Sequence, residues 1–212
     1  MKVSEIFYSI EGEGIEIGRP EVFVRLAGCN LRCSWCDTKY AWENGKEMSI
    51  KEIVEEVRRY PCKNVSITGG EPLLQKEELL ELIKQLKELG YWIQINTNGT
   101  IFDGEIFRLV DLISIDCKCP SSKMESSLDI LKRTKELFNS KSQFKFIIST
   151  KEDYEYAKNI VCSLNASNII FQPEWNSRKF AEKLIDLVKK DAVNARIIFQ
   201  QQKIVWGSKR GV

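Results

Sequence analysis

The sequence predicts an α/β protein built on a parallel sheet, and three observations carry that prediction. Short runs rich in Val, Ile and Phe alternate with amphipathic helical stretches along most of the 212 residues, the pattern of successive βα units. Those runs end in glycine-rich or polar segments, and in parallel α/β sheets ligands collect at that edge. No linker, low-complexity tract or internal repeat breaks the alternation, so a single domain over residues 1–212 is expected.

The elements follow in order. Residues 2–8 and 20–27 read as strands, the second from the alternation of Val22, Val24 and Leu26 with Glu21, Phe23 and Arg25. Between them lies Tyr8-Ser9-Ile10-Glu11-Gly12-Glu13-Gly14. Its glycines permit positive φ and close backbone approach, which suits either a plain turn or a loop that wraps a ligand. Ser49-Ile50-Lys51-Glu52 is a capping box, continued at helical spacing by Ile53, Val54 and Val57. A strand over 64–68 runs into Gly69-Gly70-Glu71-Pro72. A helix over 76–89 sets Leu79, Leu82, Ile83 and Leu86 on one face, with Gly90 as its C-cap. Strands at 91–96 and 112–116 close in Asn96-Thr97-Asn98-Gly99-Thr100 and Cys117-Lys118-Cys119-Pro120. Helices near 125–138, 153–164 and 178–190 then alternate with strands at 144–149, 168–172 and 195–199.

Composition narrows the function. Hydrophobic residues at 43% and charged residues at 29% are ordinary for a soluble chain. Basic residues exceed acidic ones by 32 to 30, a balance that gives no reason to expect a nucleic-acid or membrane partner. No apolar run approaches the ~20 residues of a membrane span, and the N-terminus carries no secretory apolar region. Seven cysteines, three of them crowded, argue against a disulfide framework. A cytoplasmic location is expected.

The crowded cysteines are the centre of the chemistry. Cys29, Cys33 and Cys36 fall at C-x3-C-x2-C spacing. A structural zinc site wants four protein ligands, and an electron-transfer iron–sulfur cluster also wants four. Three thiolates can instead hold three irons of a cubane and leave the fourth open to a small chelating molecule. Their neighbours Asn30, Arg32, Ser34 and Asp37 make a polar loop, a poor setting for core cysteines. A non-catalytic zinc site completed by a distant cysteine is the alternative from another class. The chain has no histidine, which removes the commonest general base. Cys62, Cys117, Cys119 and Cys162 lack cluster spacing and read as structural, with Cys62 and Cys162 facing inward.

Cys29, Cys33 and Cys36, with Trp35 just before the last of them, resemble the cluster loop of radical S-adenosylmethionine enzymes. Gly69-Gly70-Glu71-Pro72 looks like the second motif of that superfamily, which holds the methionine end of the cofactor. The resemblance implies a partial (β/α) barrel, here reduced in helices. The Tyr8–Gly14 loop, Phe23-Val24-Arg25-Leu26, Cys36-Asp37-Thr38 and a C-terminal Gln-x-Gln-Lys at Gln200 together resemble the 7-carboxy-7-deazaguanine synthase family over essentially the whole chain. That family converts 6-carboxy-5,6,7,8-tetrahydropterin into 7-carboxy-7-deazaguanine with loss of ammonia, on the route to queuosine and archaeosine.

The resemblance also implies roles and partners. Cys29, Cys33 and Cys36 would hold a 4Fe-4S cluster, and Thr38 a Mg²⁺ ion. Trp35, Asp37, Gly70, Glu71, Asn96, Asp116, Cys117 and Lys118 would meet S-adenosylmethionine. Ile10, Glu11, Gly12, Glu13, Arg25, Thr68 and Gln172 would meet the pterin. Arg25 is suited to pair with the substrate carboxylate, or to stand solvated on its strand. Thr38 alternatively caps a turn. An electron donor such as flavodoxin or ferredoxin and a homodimer are further expectations. Two positions depart from the family pattern: Gln202 stands where relatives usually have His, and Glu11 where they often have Gln. The Val212 carboxylate is a further candidate contact. A glycyl-radical activating enzyme is the nearest rival, but such proteins tend to have Asn-Pro where this chain has Asp37-Thr38.

Overall fold

The computed structural model describes residues 1–212. Nine strands form one sheet: β1 (Lys2–Ile10), β2 (Pro20–Leu26), β3 (Lys46–Glu47), β4 (Asn64–Gly69), β5 (Trp92–Thr97), β6 (Leu112–Cys117), β7 (Ser142–Ile148), β8 (Ile169–Pro173) and β9 (Arg196–Ile197). Their order is β3-β1-β2-β4-β5-β6-β7-β8-β9. From β2 onward every neighbouring pair is parallel, while β1 pairs antiparallel with β2 and β3. β3 and β9 end the sheet without meeting, so it stays open as a partial barrel. No helix is long and apolar enough to cross a membrane.

The helices are α1 (Ile50–Val57), α2 (Lys76–Glu88), α3 (Gly104–Leu109), α4 (Leu128–Phe138), α5 (Lys151–Leu164), α6 (Ala181–Lys190) and α7 (Gln201–Trp206). The capping box forms as read: Glu52 N–H donates to Ser49 Oγ, and the Glu52 carboxylate accepts from Ser49 N–H. Thr150 and Asp153 build a second box at the start of α5. Leu79, Leu82, Ile83 and Leu86 of α2 are fully buried, each worth about 1.5–3 kcal/mol of gross burial.

The core lies between these helices and one face of the sheet, where Val22, Val24, Val65, Ile67, Ile93, Ile95, Ile113, Ile115, Phe144, Phe146 and Phe171 point. Alternation along each strand puts different chemistry on the other face. There stand Glu21, Phe23 and Arg25 of β2, Ser66 and Thr68 of β4, Gln94 and Asn96 of β5, Ser114 and Asp116 of β6, and Gln143 and Lys145 of β7. A polar face this well buried needs internal partners. The connection from β1 to β2, residues 11–19, supplies them over the N-terminal half of the strands. Ile15 N–H donates to Gln143 Oε1 at 2.8 Å, Gln94 Nε2 donates to Glu11 Oε2 at 2.7 Å, and Arg19 reaches Glu21 at 2.7 Å while stacking on Trp92. The C-terminal half of the polar face is left as a cleft.

Several elements differ from the sequence reading. β3, α3 and α7 were not anticipated; each has six residues or fewer, too short to show a period. The helix expected over 178–190 is a 3-10 stretch at Trp175–Phe180 followed by α6, and the strand expected at 195–199 is the two-residue β9. Cys162 is exposed on α5. It does not face inward, because Ala157 and Leu164 take the buried side of the helix.

Candidate active site

The cleft, about 330 Å³, opens at the C-terminal ends of β2, β4, β5 and β6. Cys29, Cys33 and Cys36 line it together, on the loop that follows β2. Three neighbouring strand ends hold that loop. Below it, Gly70 N–H donates to Leu26 O and Glu71 N–H to Gly28 O. Gly69 has φ +141°, open to glycine, and a Cβ there would fall 2.0 Å from Leu26 O. To one side, Asn98 Nδ2 donates to Asn30 Oδ1, and Asn30 Nδ2 to Thr100 Oγ1, at 2.9 and 2.8 Å. To the other, Ser34 Oγ donates to Ser121 O, Ser34 N–H to Ser122 O, and Trp35 Nε1–H to Ser121 Oγ. Asp153, the N3 residue of the α5 capping box, accepts from Ser121 N–H in turn. The two motifs read separately in the sequence are thus one hydrogen-bonded unit.

Glu71 does not line the cleft. Its side chain is fully buried and accepts from Leu73 N–H, Thr97 Oγ1–H and Asn98 N–H, which clamps the end of β5 onto β4. The Cys117 thiol lies in the apolar core, where it donates to Ile115 O. Gln172 is buried on β8 and lies outside the cleft. Thr68, Gly70, Asn96, Asp116, Lys118, Trp35, Asp37 and Thr38 do line it.

Ile10, Glu11, Gly12 and Glu13 line the same cleft with Phe7, Phe23 and Arg25. The Phe7 and Phe23 rings stack at 5.0 Å. Arg25 Nε–H donates to Glu5 Oε1 at 2.8 Å, and its terminal nitrogens make no protein hydrogen bond. Burial, reinforced by the charges of Glu21 and Glu13, pushes Glu11 up to about 8. The shift favours the neutral acid, which is close in shape and charge to glutamine. Burial alone would raise Glu13 as well, but Lys145 and the amides of Gln200 and Gln202 outweigh it and hold Glu13 at about 2. Gly12 serves close approach: a Cβ would collide with Gln202 Oε1, and Gln201 N–H donates to Gly12 O.

Lys145, Glu5 and Tyr40 are residues of the cleft that the sequence reading does not single out, and Lys203, the last residue of the Gln-x-Gln-Lys motif, lines it too. Lys145 carried a signal, a lone charge between Phe144 and Phe146 on a strand that is buried throughout. The rest are brought in by tertiary contacts: Tyr40 Oη–H donates to Glu5 at 2.7 Å, and Lys203 pairs with Asp37 at 2.9 Å. The C-terminal residues 207–212, Val212 among them, close one side of the cleft.

Residues 23–148 match the model of the Radical SAM superfamily. A 7-carboxy-7-deazaguanine synthase of Koribacter versatilis is 35% identical over 97% of both chains. One from Clostridium acetobutylicum is 37% identical over 100% of this chain and 99% of its own. The chain belongs to the 7-carboxy-7-deazaguanine synthase family. The crystal structure of QueE from Escherichia coli, 24% identical, shares the fold with a TM-score of 0.72 over 94% of this chain and 93% of that one.

Membership makes this a radical S-adenosylmethionine enzyme that carries a 4Fe-4S cluster, and the donor set fits that group. Three free thiols face one cleft from one loop. A cubane takes each of these thiolates on a separate iron. Burial pushes the Cys33 and Cys36 thiols up, so iron binding has to displace their protons.

Proposed function

We propose that this enzyme of the 7-carboxy-7-deazaguanine synthase family acts on 6-carboxy-5,6,7,8-tetrahydropterin, releasing ammonia and 7-carboxy-7-deazaguanine. The observation that carries the reading is the placement of Arg25. Its unpaired terminal nitrogens share one cleft with the three-thiol loop, so a small carboxylate anchored there lies within the same chamber as the cluster. The cluster and S-adenosylmethionine supply the one-electron chemistry; the chain binds, orients and shields.

Gly70, Asn96, Asp116, Lys118, Trp35 and Asp37 hold the cofactor side in this reading. Asp116 is kept ionised: burial opposes this, but Lys145 and Lys118 hold its carboxyl below the usual range, leaving an acceptor for ribose hydroxyls. Ile10, Glu11, Gly12, Glu13 and Thr68 form the pterin side, with Phe7 and Phe23 as an apolar wall for a planar ring. A neutral Glu11 offers the pterin edge both a donor and an acceptor. Thr38 supplies an oxygen to Mg²⁺, a hard ion that takes few protein ligands beside water and substrate. Residues 1–212 act as one domain, as a homodimer in the cytoplasm, with electrons from a flavodoxin or ferredoxin.

Anaerobic turnover of the reconstituted protein with the carboxytetrahydropterin, S-adenosylmethionine, a reductant and Mg²⁺ tests the reading. Formation of the deazaguanine is expected. Its absence, with cofactor cleavage retained, would remove the substrate while leaving the radical chemistry intact.

A further inference from the structure

Lys145 and Lys118 are both deeply enclosed cations of the cleft. Lys145 stands on β7 with a side chain 8% exposed, and its ammonium joins two carboxylates from separate parts of the chain. One is Glu13 Oε2, on the loop between β1 and β2. The other is Asp116 Oδ1 at 3.0 Å, at the end of β6. Each carboxylate is tied further. Glu13 Oε1 accepts from Gln200 Nε2 at 2.8 Å and Gln202 Nε2 at 2.9 Å. Asp116 Oδ2 takes Lys118 at 3.3 Å, and the Lys118 ammonium sits 5.4 Å from the Trp35 ring of the cluster loop.

A chain of contacts therefore runs from the C-terminal segment through Glu13, Lys145, Asp116 and Lys118 to the cluster loop. Two carboxylates and two ammoniums balance within it, so no uncompensated charge holds it in the interior. An ammonium has three donors and no acceptor, and two of Lys145's are committed to opposite sides of the cleft. Fixing either carboxylate fixes the ammonium, and the ammonium then fixes the other carboxylate.

We infer that Lys145 is a positioning residue that couples the two halves of the cleft, so that S-adenosylmethionine and the pterin each tighten the binding of the other. This rests on the substrate reading above. On that reading the cofactor contacts the Asp116 end and the pterin the Glu13 end, so each ligand restrains the ammonium that holds the other ligand's carboxylate. Whichever binds second meets a bridge already restrained. Linkage makes the effect reciprocal.

The test is equilibrium binding on the anaerobic, cluster-loaded protein, with the cluster left oxidised so that no turnover occurs. In the wild type, saturating carboxytetrahydropterin is expected to lower the Kd for S-adenosylmethionine by about 5-fold or more, the lower range of typical allosteric couplings. In Lys145→Met the ratio of the two Kd values should fall to within about 2-fold of one, even where each affinity alone is weakened. The ratio cancels any loss common to both states, which a merely structural role would produce. A Lys145→Met chain that keeps the wild-type ratio overturns the inference. Should that variant not fold, hydrogen exchange on the wild type decides: S-adenosylmethionine alone is expected to slow amide exchange in residues 11–19. Unchanged exchange there overturns the coupling. Pterin that fails to bind the cofactor-loaded wild type overturns the substrate reading and the inference together, whereas two ligands that bind independently overturn the inference alone.

Discussion

Gly70 lies so close against Gly28 that a Cβ on Gly70 would fall 2.0 Å from the Gly28 carbonyl oxygen and 2.8 Å from Cys29 Cβ. Both obstacles sit on or beside backbone, which cannot rotate away as a side-chain end can. Gly70→Ala must therefore push the cluster loop off its seat, while the apolar core on the far face of the sheet is untouched. The chain is expected to fold with near-native secondary structure and to take up substantially less iron and sulfide on reconstitution. Full cluster occupancy in this variant would show that the seat does not govern the loop.

α2 gives the plainest stability prediction. Leu82 is fully buried in the core between helix and sheet, and the other core residues of that helix leave little room for collapse. Leu82→Ala is expected to cost about 2–5 kcal/mol of unfolding free energy, readable by denaturant titration of the apoprotein. A loss below about 1 kcal/mol would mean that the helix contributes less packing than its burial implies.

Much of this architecture was legible because its signals are local. Strict alternation in Val65-Ser66-Ile67-Thr68 and Ile93-Gln94-Ile95-Asn96 puts apolar and polar residues on opposite faces whatever the neighbours are, and Ser49 with Glu52 defines a cap within four residues. The cysteine spacing is equally local. Contacts between distant segments were not legible: no feature near Asn30 announces Asn98, and none near Glu13 announces Lys145. The same holds for Glu71 and Cys117. Each sits in a motif that adjoins the cleft, but side-chain direction at the strand ends sends one into a backbone clamp and the other into the core.

Glu11 predicts a pH dependence of stability. Its carboxyl titrates at about 8 when folded against an ordinary 4.5, so between those values the native chain binds a proton that the unfolded chain has released. By linkage the stability from this group is complete below pH 4.5 and declines as pH rises towards 8. At about 1.4 kcal/mol per pH unit, the decline is of order several kcal/mol. Glu11→Gln, neutral at every pH, should flatten the slope and stabilise the chain at pH 8. Parallel slopes for the two proteins would place the Glu11 carboxyl in its charged form.

Thr38 donates its hydroxyl to Asp37 Oδ1 at 2.8 Å within the cleft. With the hydroxyl as an ion ligand, Thr38→Ala should weaken the stimulation of turnover by Mg²⁺ and raise the concentration required, with cluster content and S-adenosylmethionine affinity kept. An unchanged Mg²⁺ response would leave Thr38 as a turn residue.

Arg25 joins sequence position to site chemistry most directly. The β2 register sets it opposite Thr68 on the polar face, beyond the stacked Phe7 and Phe23 rings. Glu5 takes one nitrogen, and Tyr40 Oη–H donates to the same Glu5 oxygen at 2.7 Å. Glu5 therefore orients the guanidinium without covering its outer face. A carboxylate meeting that face gains charge-assisted hydrogen bonds in the bidentate geometry a guanidinium offers, worth about 1.5–3 kcal/mol each. Arg25→Gln should raise KM for the pterin by at least about 10-fold, with S-adenosylmethionine affinity within about 3-fold of wild type. Lys keeps the charge but lacks the planar fork, so Arg25→Lys should recover only part of the loss. An equal loss of affinity for pterin and cofactor would assign Arg25 to holding β1 and β2 in place through Glu5, and the substrate carboxylate would then need another cation.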